Sequence, residues 1–148
     1  MNRYKYEEIN INDEEYFNVV ITDEMLDKFR TISGDINPLH SDDEFARIKG
    51  YNSKVVFGML TSSFYSTLAG VYLPGENSLI HNIEIKFNKP VYVGDELQIK
   101  GIVLKKYDKF NLLRLEATIF RTNTNEKVSS ANISVGVTSD IESLKEEI

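Results

Sequence analysis

An α+β domain, with an antiparallel sheet wrapped around one long central helix, is the architecture this sequence predicts. Two patterns predict it. Between Lys54 and Glu76 no charged residue occurs, and the run VVFGMLTSSFYSTLAGVYL is apolar or neutral on every side, the mark of a helix enclosed by its own protein. From residue 79 onward the period changes to two: LIHNIEIKF, DELQIKGIVLKKY, LLRLEATIFRT and KVSSANISVGV each alternate apolar with polar residues, separated by turn-like stretches such as YDKFN and TNTNE. The sheet's inner face needs a cover and the helix needs to be covered, so each element answers the other's burial requirement. Strand order is not contained in the pattern.

The central run is long enough to span a bilayer. Five hydroxyl side chains (Thr61, Ser62, Ser63, Ser66, Thr67) and two glycines dilute it, and its flanks read as ordinary strands and helices, so no membrane crossing is expected. The helix ends where Leu73-Pro74-Gly75 supplies a proline and then a glycine. Upstream, residues 15–21, EYFNVVI, make a short strand. In TDEMLDKFRTISG, Thr22 or Asp23 caps a helix whose Met25, Leu26, Phe29 and Ile32 recur at helical spacing, and Gly34 closes it. SDDEFARIKG adds a short second helix, with a capping box of Ser41 and Glu44 and an end at Gly50. The acidic tail DIESLKEEI is expected to fray.

Composition bounds the rest. The 148 residues, 41% hydrophobic, suit a single domain spanning 1–148 with its core at about 15–137. A net charge of −6, with both signs mixed along the chain, argues against non-specific binding to nucleic acid or to an anionic membrane. The chain has no cysteine, which excludes disulfides, thiolate nucleophiles and cysteine-ligated metals. The polar, acidic N-terminus does not read as a secretory signal, and a cytoplasmic location is expected.

The stretch TISGDINPLHSDDEFA, Thr31 to Ala46, carries the candidate chemistry. Pro38 fixes its own backbone and pushes Asn37 toward an extended conformation, so the segment between the two helices is a constrained loop. Whether Asp35 and His40 converge across that bend or point apart is open from the residues themselves. If they converge, a carboxylate and an imidazole flanking one water can take a proton from it and deliver another elsewhere, which suits the addition or elimination of water. The plainer alternative is that Asp35 caps a turn and His40 is a satisfied structural residue.

The run FRTISGDINPLHSDDEFA, Phe29 to Ala46, resembles the signature of the (R)-specific enoyl-CoA hydratases of the MaoC-like dehydratase family. The matching positions are an aromatic, an aliphatic, a small residue, then Gly-Asp-x-Asn-Pro-aliphatic-His and a downstream alanine. The likeness continues in VVFGMLTSSFYSTLAG, similar to the family's central-helix entry, and in FNKPVYVGDEL, similar to its strand-turn-strand element. Together these cover most of the chain from about residue 20 to residue 137. The resemblance implies a hotdog fold, a homodimer with sheets edge to edge and active sites near the subunit interface, and chemistry without cofactor or metal. It implies reversible hydration of a trans-2-enoyl thioester to the (3R)-hydroxyacyl thioester, carried on coenzyme A or acyl carrier protein.

Position by position, the resemblance makes Asp35 and His40 the catalytic pair and Gly58 the backbone donor to the thioester oxygen. Asn37, Phe57, Met59 and Ser66 are the expected substrate-binding residues, Ser66 by the acyl pocket and Asn37 in support, since its side chain can also hold the loop through an Asx-type bond. Where the family commonly has His-Gly-Met, this chain has Phe57-Gly58-Met59, a departure that bears on which acyl group is accepted. The segments KGYNSK (Lys49 to Lys54) and KKYDK (Lys105 to Lys109) are the candidate partners for coenzyme A phosphates. His81 has no counterpart in the signature and reads as a partly exposed strand residue. A non-catalytic acyl-thioester-binding module and a dehydratase of an unusual acyl thioester are the alternatives. A thioesterase would place an acid on the central helix, and Gly58 to Leu73 holds none.

Overall fold

The computed structural model describes residues 1–140, so the expected fraying of the tail concerns residues that, from 141 on, lie outside the described part. Among the described residues five strands form one antiparallel sheet: β1 (Glu14–Val20), β2 (Ser78–Phe87), β3 (Glu96–Tyr107), β4 (Leu112–Arg121) and β5 (Glu126–Val137). Their spatial order is β1-β3-β4-β5-β2. Among the described residues there are three α-helices: α1 (Asp23–Ser33), α2 (Asp43–Ile48) and the central α3 (Gly58–Thr67), which continues as one π-helical turn over Leu68–Tyr72. The architecture is α+β and of the hotdog type, a sheet curled around a central helix. No helix among the described residues is long and apolar enough to cross a membrane.

Period-two patterning becomes burial directly. Leu97, Ile99 and Val103 of β3, Leu113, Leu115, Ala117 and Ile119 of β4, and Ala131, Ile133, Val135 and Val137 of β5 are buried on one face of the sheet. Against them pack Leu60, Tyr65, Leu68 and Ala69 of the central helical segment. At Gly101 an added Cβ would lie 2.8 Å from Leu68 Cδ2, so a glycine there lets the helical segment pack near the strand. The turn before β3 is pinned by an ion pair between Arg121 and Asp95, and Arg121 Nη2 also donates to Pro90 O at 2.8 Å.

The helix boundaries follow the capping rules with one correction. Thr22 Oγ1 accepts from Met25 N–H at 3.3 Å, and Gly34 closes α1 in the left-handed region at φ 71. For α2 the cap is Asp42, not Ser41. The 3₁₀ turn Pro38–His40 runs on through Ser41 and Asp42, whose N–H groups both return to Pro38 O, and the Asp42 carboxylate then accepts from Glu44 and Phe45 N–H.

Two burial expectations are also corrected. Ile32 is 83% exposed, because it belongs to the last turn of α1, where nothing packs over it, while Leu26 is buried and Met25 and Phe29 partly so. The central helix is not enclosed on all sides: Met59 is 62% exposed, and Ser63 and Ser66 are exposed too. Its neutral composition is shared between a buried apolar face and a weakly polar open one, which hydropathy alone does not separate.

Tyr65, fully buried on α3, donates its hydroxyl to Ser129 Oγ on β5 at 2.8 Å, and burial pushes the phenol up to about 12. The unfolded chain releases this proton near 10, so the stabilising effect is complete below pH 10 and is lost as pH rises from 10 toward 12, by on the order of 2 kcal/mol. Urea midpoints measured across that range should fall more steeply for the native chain than for Tyr65→Phe.

Candidate active site

One end of α1, the Asn-Pro loop and the entry to α3 enclose a cavity of about 330 Å³ lined by Phe29, Ser33, Asp35, His40, Phe57, Gly58 and Met59. Five residues expected from the sequence, Asp35, His40, Phe57, Gly58 and Met59, therefore meet at one place. The loop that brings them there is built from local hydrogen bonds. Ser33 Oγ donates to Phe29 O at 2.8 Å and accepts Asp35 N–H at 3.2 Å. Asp35 Oδ1 accepts Asn37 N–H at 3.1 Å, and Asn37 Oδ1 accepts Leu39 N–H at 3.0 Å, two successive Asx turns. Asn37 has φ −57 and ψ 123, the extended conformation required before proline.

These turns decide where each catalytic candidate points. One Asp35 oxygen is used by the loop, which leaves Oδ2 facing His40 Nε2 at 4.0 Å. The other ring nitrogen of His40, Nδ1, lies 2.7 Å from Val55 O. A carbonyl only accepts, so Nδ1 carries the hydrogen and the neutral ring presents Nε2 as a bare acceptor. Val55 N–H returns the contact to Leu39 O at 2.9 Å, so the loop is stitched to the segment that leads into α3. The His40 side chain is 15% exposed and that of Asp35 45%, so the carboxylate stands at the mouth and the imidazole against the wall. Neither atom has a hydrogen to give the other, and at 4.0 Å the two acceptors are suitably placed to receive both hydrogens of one water molecule.

The third chemical feature is backbone. Leu60 and Thr61 N–H both reach Phe57 O, whereas the first amides of α3, Gly58 and Met59, have no intrahelical acceptor. That positive helix end opens at the cavity, where negative charge on a substrate oxygen would be stabilised. Gly58 is crowded from the other side: a Cβ there would lie 2.8 Å from Phe87 Cε1 of β2.

The remaining expected residues lie elsewhere. Ser66 is exposed and is not among the residues lining the cavity, because it sits two turns further along the open face of α3. Asn37 acts on the loop backbone rather than lining the cavity; Phe57, which does line it, is only 2% exposed, its ring centroid 4.1 Å from that of His40. Of the lysines, Lys54 is ion-paired with Asp23, Lys49 lies over the Phe45 ring, Lys106 donates to Tyr6 O and Ile9 O, and Lys109 lies over Phe110. His81 is exposed on β2, beside the bulge in its pairing with β5. Two residues that the sequence reading missed belong to the site. Ser33 shapes the Asp35 turn, and Arg30 donates Nη2 to His40 O at 3.3 Å while pairing with Asp27. Arg30 reads in sequence as a cation in the last helical turn, and only the fold reveals the carbonyl it reaches. No group of three or more acidic or histidine side chains among the described residues is placed to hold a metal ion.

A curled antiparallel sheet around a central helix defines a protein of the hotdog fold, here with an Asp/His pair beside the N-terminus of that helix. The chain belongs to the family described as MaoC like domain, which matches residues 10–125. It is 42% identical over 69 residues to the (R)-specific enoyl-CoA hydratase of Aeromonas caviae, a match covering 47% of this chain and 52% of that one. It is 32% identical over 111 residues to a mitochondrial 3-hydroxyacyl-[acyl-carrier-protein] dehydratase of Arabidopsis thaliana, covering 74% and 65%. The matched segments thus span between half and two thirds of these curated relatives. The solved (R)-hydratase from A. caviae superposes with a TM-score of 0.83 at 26% identity, over 88% of this chain and 98% of that one.

Asn37→Ala removes the acceptor for Leu39 N–H and should cost about 1 kcal/mol, a fall of about 2–4 °C in the thermal midpoint. Differential scanning calorimetry reads it directly.

Proposed function

We propose that the protein catalyses the reversible, cofactor-free hydration of trans-2-enoyl thioesters to (3R)-hydroxyacyl thioesters. The observation that carries this reading is the pairing of Asp35 Oδ2 and His40 Nε2 at 4.0 Å in a cavity that also contains the free end of α3. In this reading a water between the two groups donates one hydrogen to each. As its oxygen attacks the β-carbon, His40 Nε2 takes the proton and becomes imidazolium, with the Asp35 carboxylate stabilising that charge. Electron density moves onto the thioester oxygen, where Gly58 N–H and the helix terminus stabilise the enolate. The pair then returns one proton to the α-carbon on the same face, which restores the starting protonation and gives syn addition. Dehydration is the same path reversed.

The relatives' names divide between coenzyme A and acyl carrier protein as the thiol carrier, and either is compatible with a cavity whose mouth is formed by Asp35 and Met59. We place the reaction in the cytoplasm, where both carriers present acyl chains. A homodimer fits the surface: β2 is an outer strand of ten residues with Leu79 and Phe87 exposed, and Met59 is exposed beside the cavity. An outer strand of that length, with one row of backbone groups unpaired, is matched by a second copy of itself. Pairing there would bring Met59, and Ser66 on the same open face of α3, close to the partner, so that the acyl pocket is completed across the interface.

Loss of enoyl-thioester absorbance is the assay, with crotonyl-CoA and a medium-chain trans-2-enoyl-CoA and the matching carrier-protein thioesters. Asp35→Asn and His40→Ala should each lower kcat on the order of a hundredfold or more while leaving the thermal midpoint within a few degrees. Near-native hydration by either variant would remove the pair from the mechanism.

A further inference from the structure

One hydrogen bond does not immobilise an imidazole. The ring torsion of histidine is broad, so a ring held only through Nδ1 still rocks about its attachment and carries Nε2 with it. In this protein the face of the His40 ring is covered as well. Phe57 lies against it with centroids 4.1 Å apart and planes 28° from parallel. Phe57 is itself held: Phe29 packs on it at 4.9 Å, tilted by 50°, and the Arg30 guanidinium stands 6.0 Å from its centroid. Arg30 closes the circuit by donating to the carbonyl of His40. The backbone on both sides of the contact is fixed too, since Phe57 precedes the first turn of α3 and Val55, two residues earlier, holds Nδ1.

We infer that Phe57 is a positioning residue for His40: its buried ring, clamped by Phe29 and Arg30, holds the imidazole flat so that Nδ1–H stays on Val55 O and Nε2 stays aimed at Asp35. Phe57 therefore acts on His40 as well as lining the cavity. A ring held flat keeps Nδ1 directed at Val55 O, the acceptor that selects the tautomer. The inference rests on the hydratase reading only for its effect on rate; the ring geometry stands apart from it.

The test uses the full chain and two variants. Phe57→Leu keeps an apolar group of similar volume without a flat ring, and Phe57→Tyr keeps the flat ring. Long-range proton–nitrogen spectra at about pH 8.5, well above the usual imidazole midpoint of about 6.5, read the tautomer of each ring. The chain has two histidines, so His40→Ala assigns the signals. Native protein and Phe57→Tyr should show His40 as a single Nδ1–H tautomer with ring protons shifted upfield by the stacked aromatic. Phe57→Leu should lose the upfield shift and show exchange-averaged tautomers. Its kcat should fall by about tenfold or more with KM within about twofold, the pattern of a misplaced base rather than weakened binding.

A Phe57→Leu protein that is folded by thermal unfolding, keeps the single tautomer and keeps kcat overturns the inference. A native chain that hydrates no enoyl thioester but shows the tautomer, and loses it in Phe57→Leu, overturns the hydratase reading and leaves this assignment standing.

Discussion

The hydrogen bond from His40 Nδ1 to Val55 O is the contact on which the site depends. It joins two segments fifteen residues apart, the Asn-Pro loop and the entry to α3, and the return bond from Val55 N–H to Leu39 O makes the junction two-sided. It also selects the chemistry. A carbonyl acceptor at Nδ1 leaves Nε2 of the neutral ring without a hydrogen and able to accept one. Remove that junction and the loop, the base and the helix end would each persist locally but would no longer share a cavity.

The junction is useful because the fold holds α3 rigidly beneath it. Gly101 lets Leu68 approach β3 within van der Waals contact, and Tyr65 ties the helix to Ser129 on β5. With those contacts in the core, the N-terminus of α3 has a defined place at the cavity, and no side chain caps it. A helix end without a capping side chain is ordinarily a loss. Here it supplies the donors that an enolate oxygen would use.

Much of this was legible in the sequence because the signals were local. The period-two runs predicted β2 to β5 to within a residue or two, since an alternating strand with one buried face permits only that pattern. Thr22, Gly34 and Pro38 act on their immediate backbone, and each does in the structure what its chemistry requires. The strand order, with β1 beside β3 and β2 at the opposite edge, was not legible, because pairing partners far apart in sequence leave no periodic trace. The exposure of Ile32, Met59 and Ser66 was missed for a related reason: helical spacing tells which residues share a face, not whether anything covers it. Ser41 lost the cap of α2 to Asp42 because the preceding 3₁₀ turn extends one residue further than the motif implies. Arg30 could not be placed at all, since its partner is a backbone carbonyl ten residues on, and carbonyls carry no sequence label.

In the proposed reaction Asp35 and His40 act on one side of the substrate and the Gly58 amide at the thioester oxygen, so the stereochemistry of dehydration tests that proposal most directly. The measurement is the consumption of (3R)- and (3S)-3-hydroxybutyryl thioesters, each on coenzyme A and on holo-acyl carrier protein, followed by the appearance of enoyl absorbance. The account predicts that the (3R) thioester is dehydrated on at least one carrier and the (3S) thioester on neither. Dehydration of the (3S) compound, or of neither enantiomer on either carrier, would contradict it.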